Sequence, residues 1–286
     1  MINYNPAPFF LNLFEQSFIE SQGIDGWGQK NFHLSDASKC SRSIWFRIML
    51  QTYPEFKKMV GFEDEPKDFV QQLNFSIGHA MHEWLQKYFV EKMHWCTWDD
   101  IEVPIRLAEV NLKGSIDCLV PVEKLLELCE HFGIQAPPLT GTHVVIDFKT
   151  KKDEMVSVRI PGKPKVSSHT FPDDILKYPS TGYITQIQSY MTLAERLHPE
   201  KYPEINAGIL LYVCKNDGRS FAVSIEKDPL VWDMVYEKAI LTKTAVETGT
   251  APSPEYAKTE KECCGFGNYH ACPYFNICWS GQSLKF

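Results

Sequence analysis

The chain has 286 residues, 44% of them hydrophobic, a net charge of −7, and 18 Phe, 12 Tyr and 7 Trp. Such an aromatic content excludes a disordered chain. No apolar run approaches the roughly 18 residues of a membrane span, and the acidic balance lacks the global basic signature of many DNA-binding domains. Met1-Ile-Asn-Tyr-Asn has no basic stretch ahead of its apolar residues, so a secretory leader is not expected and the chain reads as soluble and cytoplasmic.

Residues 1–34 form a mixed aromatic segment of weak periodicity. Ser35-Asp36 then supply N-cap signals for a helix with Ile44, Trp45, Ile48 and Met49 on one face. Residues 51–70 read as a charged connection. A second helix is expected from about Asn74 to Lys92, carrying Ile77, Ala80, Met81, Trp84, Leu85, Tyr88 and Phe89 at helical spacing. The period then drops to two. Ile101–Leu107 alternates and Gly114–Val120 continues as a second strand, a hairpin-like pair.

Residues 122–132 are helical in pattern and stop at Gly133, ahead of Pro137-Pro138, as an insertion would. His143–Lys149 is a buried strand ending in charge. A loop rich in Pro, Gly and Lys covers 151–175, and a strong helix spans Thr181 to His198. Strands at Gly208–Cys214 and Ser220–Ile225 precede a helix over Pro229–Thr248 and a tail rich in cysteine. The order predicts one α/β domain around a mixed sheet. A parallel strand after the 181–198 helix would make the usual right-handed crossover.

Two strands carry carboxylates. Asp147 and Lys149, two apart, share one face of their strand. Asp117 interrupts the apolar run of Gly114-Ser-Ile-Asp-Cys-Leu-Val. An isolated Asp-x-Lys is most simply a structural ion pair. If the strands are neighbours, however, Asp117 and Asp147 converge as hard oxygen ligands suited to Mg²⁺ or Mn²⁺. A nearby Lys can then orient or help deprotonate a water and stabilise phosphate charge. Gly78 and His82 share a helix face, as do Gln186 and Tyr190; His82 alone is equally well a core histidine.

In this order, Gly78-x-x-x-His82, Gly114-Ser-Ile-Asp117, Asp147-Phe-Lys149-Thr and Gln186-x-x-x-Tyr190 resemble the RecB-type branch of the PD-(D/E)XK nuclease superfamily. The resemblance implies a restriction-endonuclease-like core, a central mixed β-sheet flanked by helices. It implies that His82, Asp117, Asp147 and the Phe148 carbonyl hold a divalent metal. Lys149 would act on the water, and Gln186 and Tyr190 would support the site. The whole of 1–286 would be one nuclease domain: a helical part at 35–100, a catalytic sheet core at 101–225, and a C-terminal helix and tail at 226–286.

The nine cysteines are an odd number for a disulfide framework. Cys118 and Cys214 sit in apolar runs and read as core residues. Ser35-Asp-Ala-Ser-Lys-Cys40-Ser-Arg42 resembles the N-terminal cysteine element of the iron–sulfur nucleases in this branch, the family-four CRISPR-associated exonucleases and the AddB nuclease domain. In that family one early and three late cysteines hold a 4Fe–4S cluster, and Cys272 and Cys278 keep its five-residue gap between the last two ligands. The family usually has two residues between the first and second late cysteines; here seven separate Cys264 from Cys272. Cys263 or Cys264 would be the ligand, with His270 an alternative, and four thiolates also suit Zn²⁺. The cluster is expected to be a staple between distant segments rather than a redox catalyst.

Lys149 to Lys165 is locally basic, through Lys151, Lys152, Arg159, Lys163 and Lys165; it is a solvated loop or, with Arg42, a track for a phosphate backbone. Tyr190 or Trp45 would stack on bases. The resemblance thus implies a Mg²⁺- or Mn²⁺-dependent DNA exonuclease acting on single-stranded ends. The alternative is a non-catalytic iron–sulfur module that docks on DNA or on a recombination or integration complex. No Gly-x-x-x-x-Gly-Lys-[Ser/Thr] is present, so unwinding would come from a helicase, recombinase or integrase partner. Viral recombination, cellular repair and CRISPR spacer acquisition are all compatible with this reading.

Overall fold

The computed structural model describes residues 30–63, 69–135, 139–151, 155–158, 166–169, 180–256 and 272–279. One mixed sheet contains β1 (Phe32–His33), β2 (Ile101–Leu107), β3 (Leu112–Pro121) and β4 (His143–Lys151). After a separate pair, β5 (Met155–Val158) and β6 (Val166–His169), it adds β7 (Ala207–Cys214) and β8 (Ser220–Glu226). The helices are α1 (Ser41–Thr52), α2 (Pro54–Val60), α3 (Phe69–Glu91), α4 (Val122–Phe132), α5 (Thr181–Leu197), α6 (Pro229–Thr248) and α7 (Phe275–Cys278).

Alternation decides the strands. β2 buries Val103, Ile105 and Leu107 and turns Glu102, Pro104 and Arg106 outward, as a half-buried antiparallel strand should. It pairs with β3 with Val103 opposite Ile116 and Leu107 opposite Leu112. β3 runs antiparallel to β4 only over Cys118–Pro121, and β4 runs parallel to β7 from Val144 to Lys151. A parallel pair needs a long crossover, and α5 lies within it. The hairpin, the insertion helix α4 and the parallel strand all match the sequence pattern.

Both faces of the sheet are covered. α5 and α6 lay Ile187, Tyr190, Met191, Trp232 and Val235 against one face. On the other, Leu85 and Phe89 of α3 pack with Cys118, Ile146 and Phe148. A third cluster joins α1 and α2 to α6 through Trp45, Phe46, Met49, Phe56 and Ala245, with Tyr274 and Ile277 of the α7 segment packed on it. Cys118 and Cys214 are fully buried, as expected.

Four parts of the chain depart from the sequence pattern. Ser35-Asp36 do not cap α1 but lie in a 3₁₀ turn, Leu34–Asp36, because the Asp36 carboxylate is taken by Lys39 at 2.6 Å and Arg47 at 2.8 Å. The connection at 51–70 contains α2, started by Pro54 in its first turn and ended by Gly61 at φ 63°. α3 begins at Phe69, ahead of the expected Asn74. Within 151–175, Met155–Val158 and Val166–His169 form an antiparallel pair, Met155 opposite His169.

The first turn of α1 is capped from far away. Cys40 precedes it and its thiol makes no capping bond. Glu255 accepts instead, from Ser41 N at 2.7 Å and from the Ser41 hydroxyl, while Lys238 Nζ pairs with its other oxygen at 3.3 Å. Burial alone would raise the Glu255 pKa, but these donors outweigh it and hold the carboxyl below its usual range. A depressed carboxyl stabilises the fold above its unfolded pKa and loses that contribution as pH falls through its folded one. Glu255→Gln should therefore cost about 1 kcal/mol at neutral pH, the usual cost of a lost helix cap. In denaturant titrations the gap from wild type should close on acidification; a gap that stays constant with pH would remove the clasp.

Candidate active site

The pairing of β3 with β4 ends at Cys118 opposite Ile146. The next register position would set Asp117 against Asp147, and there the strands part. The Asp117 Oδ2 oxygen accepts the Phe148 N–H at 2.7 Å, replacing the lost ladder bond with a side chain. The N–H and C=O of one strand residue point to the same edge, so the Phe148 carbonyl also faces this gap.

Asp147 is 1% exposed, and its Oδ2 lies 2.5 Å from Lys149 Nζ. The contact is an ion pair without hydrogen-bond angles, so this buried oxygen has no well-directed donor. Lys149 Nζ donates to Gln186 Oε1 at 3.2 Å, and Gln186 Nε2 donates to Tyr190 OH at 2.9 Å. The phenol is held further by the Ser115 backbone. From the opposite face, His82 of α3 brings Nδ1 to 3.7 Å from Asp117 Oδ2, its ring edge-on to Phe148. His82, Asp117, Asp147, Lys149, Gln186 and Tyr190 thus meet at one opening in the sheet.

Two glycines permit this approach. A Cβ on Gly114 would lie 3.0 Å from Leu34 Cδ1 and 3.2 Å from Tyr190 Cε1; one on Gly78 would lie 3.2 Å from Thr150 Oγ1. α5 and α3 therefore come close enough to deliver Tyr190 and His82 to the gap.

The charges are mutually perturbed. Burial, then the Asp147 charge, pushes the Asp117 pKa well above the carboxylate range. Burial raises Asp147 as well, against the pull of Lys149. Burial alone would lower the Lys149 pKa, but Asp147 and Asp117 outweigh it and keep the ammonium charged. His82 is lowered to about 4 by burial and by the Lys149 charge. A neutral imidazole, two crowded carboxylates and a backbone carbonyl form a donor set that suits a hard or borderline divalent cation. Among the described residues no three His, Cys, Asp or Glu side chains converge closely enough to cage an ion as they stand. The Lys149 ammonium is the cation now against Asp147.

Some residues at the site escaped the sequence reading. Glu102, at φ 48°, stands opposite Asp117 on β2 and accepts from Gln86 Nε2 and Ser115 Oγ, both at 2.6 Å. A non-glycine residue at positive φ within a strand stores strain. In sequence it is merely the outward position of an amphipathic strand. Gln86 lies one turn beyond His82, and that i,i+4 spacing was the available signal. Tyr183 lays its ring 4.6 Å from Lys149 Nζ and is 39% exposed. By contrast, Trp45 and Tyr190 are fully buried and do not offer a face to a base, which corrects that expectation.

The cysteine expectation divides. Cys40, Cys272 and Cys278 line one opening, together with Arg42 and aromatic side chains. Cys263, Cys264 and His270 lie outside the described residues, as do Lys152, Arg159, Lys163 and Lys165. Lys151 is half-buried at the end of β4.

No family model and no curated protein sequence matches the chain. Among solved structures it is similar to SSO0001, at 15% identity and a TM-score of 0.43 over 96% of this chain and 98% of that one. It is similar also to LHK-Exo in complex with dAMP, at 12% identity and a TM-score of 0.41 over 78% of this chain and 93% of that one. A second structure of LHK-Exo, an alkaline exonuclease from Laribacter hongkongensis, aligns at 10% identity and a TM-score of 0.39 over 81% of this chain and 92% of that one.

Asp117→Asn keeps an acceptor for the Phe148 N–H while removing a buried like charge. The metal-free protein should therefore melt about 2 °C or more higher, and any rise in melting temperature on adding Mn²⁺ should vanish. Calorimetry with and without Mn²⁺ reads both; an undiminished Mn²⁺ shift would remove Asp117 from the ligand set.

Proposed function

We propose that this protein is a Mg²⁺- or Mn²⁺-dependent nuclease that hydrolyses DNA phosphodiesters, trimming single-stranded DNA from a free end. The observation that carries the reading is the meeting of Asp117, Asp147 and Lys149 where β3 and β4 part, with His82 and Gln186 brought in from opposite faces. Asp117, Asp147, His82 and the Phe148 carbonyl would hold the ion. When bound it supplies polarisation of the scissile phosphate and a lowered pKa for the attacking water.

The chain's own groups do the rest. Lys149, kept charged by its carboxylates, orients the water and stabilises negative charge growing on the phosphate as the new P–O bond forms and the old one breaks. It does so as a hydrogen-bond donor rather than as a base. Gln186, itself oriented by Tyr190, fixes the ammonium. Tyr183 offers an exposed ring beside Lys149 on which a terminal base can stack. Lys151 and the neighbouring basic residues follow the backbone.

Cys40, Cys272, Cys278 and Cys263 or Cys264 hold a thiolate-bound metal centre, a 4Fe–4S cluster or Zn²⁺, that ties the N-terminal helices to the C-terminal segment. The shared opening supports this. Cys272→Ala should lose bound metal and melt lower; an unchanged metal content and melting temperature would dismiss the centre. The protein acts inside the cell, beside a partner that opens duplex DNA. Among the described residues no helix is long and apolar enough to cross a membrane.

Anaerobically purified protein, given end-labelled single-stranded or duplex DNA with Mg²⁺, Mn²⁺ or EDTA, should trim DNA only with metal. Asp147→Asn and Asp147→Ala should abolish trimming. Lys149→Ala should slow it about 10²–10⁴-fold, with a far smaller change in DNA affinity. Cleavage surviving both Asp147 variants would overturn the site. Binding without cleavage by metal-replete protein would mark a DNA-docking module.

A further inference from the structure

Cys96 and Cys118 are 22 positions apart in sequence, yet their Sγ atoms lie 3.5 Å apart. Both are free thiols, Cys118 fully buried and Cys96 half-buried. Each is held by its backbone. Cys118 is paired at once with Ile101 of β2 and Ile146 of β4. Cys96 follows α3 and is fixed through both neighbours. The Trp95 N–H donates back to the Phe89 carbonyl at 2.9 Å. Thr97 opens the 3₁₀ turn Trp98–Asp100, its N–H and hydroxyl donating to Asp100 Oδ2 at 3.0 and 2.6 Å. Asp100 is anchored in turn by Lys201 at 2.7 Å and the Tyr202 hydroxyl at 3.0 Å. The fold itself therefore sets these two thiols against each other.

We propose that Cys96 and Cys118 are a redox-responsive dithiol that a hydroperoxide converts to a disulfide, stapling the turn after α3 to β3. The sulfurs need to close by about 1.5 Å to reach the bond length of about 2.05 Å. Cys96 reacts first, being the more exposed thiol. The Cys118 thiol donating to its sulfur also holds the Cys96 pKa below the ordinary thiol range, which favours the thiolate. That thiolate attacks one peroxide oxygen and the O–O bond breaks, leaving a sulfenic acid on Cys96 and a hydroxide that becomes water with the proton Cys96 gave up. The Cys118 sulfur then attacks the Cys96 sulfur. The S–S bond forms, the S–O bond breaks, and the departing hydroxide leaves as water with the Cys118 proton. Two thiols are thus oxidised by two electrons while one peroxide is reduced to two waters, and a dithiol reductant reverses the change. Pairs that close in a reducing compartment are ordinarily transient and redox-sensing. The bond forms one residue from Asp117 and ties the end of the helix that carries His82 to the strand that carries Asp117. It needs only the two thiols, whether or not the gap cleaves DNA.

Full-length protein, reduced and then freed of reductant, is exposed to hydrogen peroxide, alkylated and digested for peptide mass mapping, with its melting temperature read in parallel. Wild type should yield a Cys96–Cys118 linked peptide that dithiothreitol abolishes, and should melt about 5 °C higher than its reduced form. Cys96→Ser should show neither change. Cys118→Ala strands the sulfenic acid on Cys96, so a cyclic 1,3-dione present during oxidation should label Cys96 more strongly there than in wild type; this variant carries the comparison if Cys96→Ser does not fold. Wild type in which Cys96 and Cys118 both stay alkylatable after peroxide, or in which either links to a different cysteine, overturns the proposal. A linked peptide with an unchanged melting temperature overturns the staple.

Discussion

Two carboxylates that repel each other are held in the same gap of a β-sheet, and the surrounding structure is arranged to tolerate them. Asp117 and Asp147 are driven toward protonation by burial, and Asp117 also by its neighbour's charge. The Lys149 ammonium, Gln186 and the Phe148 amide oppose that drive. Such an arrangement is a poor way to stabilise a fold, since apolar side chains of similar volume would serve as well or better. It is a good way to keep a polar gap open within the sheet.

The gap exists because β3, which pairs with β2 over Leu112–Cys118, pairs with β4 only over Cys118–Pro121. A continuous sheet separates the groups on its two faces. Here the interruption lets a histidine from α3 approach a carboxylate whose neighbours are held by α5. β4 meanwhile stays pinned to β7 from Val144 to Lys151, past the gap, so only one wall of the opening lacks a ladder. The strained Glu102 buttresses that wall through Ser115 and Gln86.

Much of this was legible in residue order. Strict alternation in Ile101–Leu107 specified β2 and its buried face, and the apolar run at His143–Lys149 specified a buried strand. Helical spacing alone put Gln186 and Tyr190 on one face of α5. Capping was not legible: Ser35-Asp36 looks like a helix start, yet Asp36 is claimed by Lys39 and Arg47, and the true acceptor is Glu255, remote in sequence. Burial misled too. Trp45 was an attractive stacking residue by type, but its indole closes the core between α1 and α6, donating to Ala245 O at 3.0 Å. Glu102 gave no signal because an outward glutamate on an edge-facing pattern is commonplace.

The Ser41–Glu255 clasp spans 214 positions of sequence. During synthesis every strand of the main sheet, through Glu226, has been made before Glu255 exists. Domains assemble as their chain emerges, so the sheet and its carboxylate gap can form while the first turn of α1 still lacks its acceptor and the thiols of Cys272 and Cys278 are unmade. Synthesis separates two tasks: the strands around the gap come before the residues that clasp α1 and those of the 272–278 segment that line the cysteine opening. When Glu226 has been made and Glu255 has not, every strand of the sheet is in hand while the first turn of α1 still lacks its acceptor.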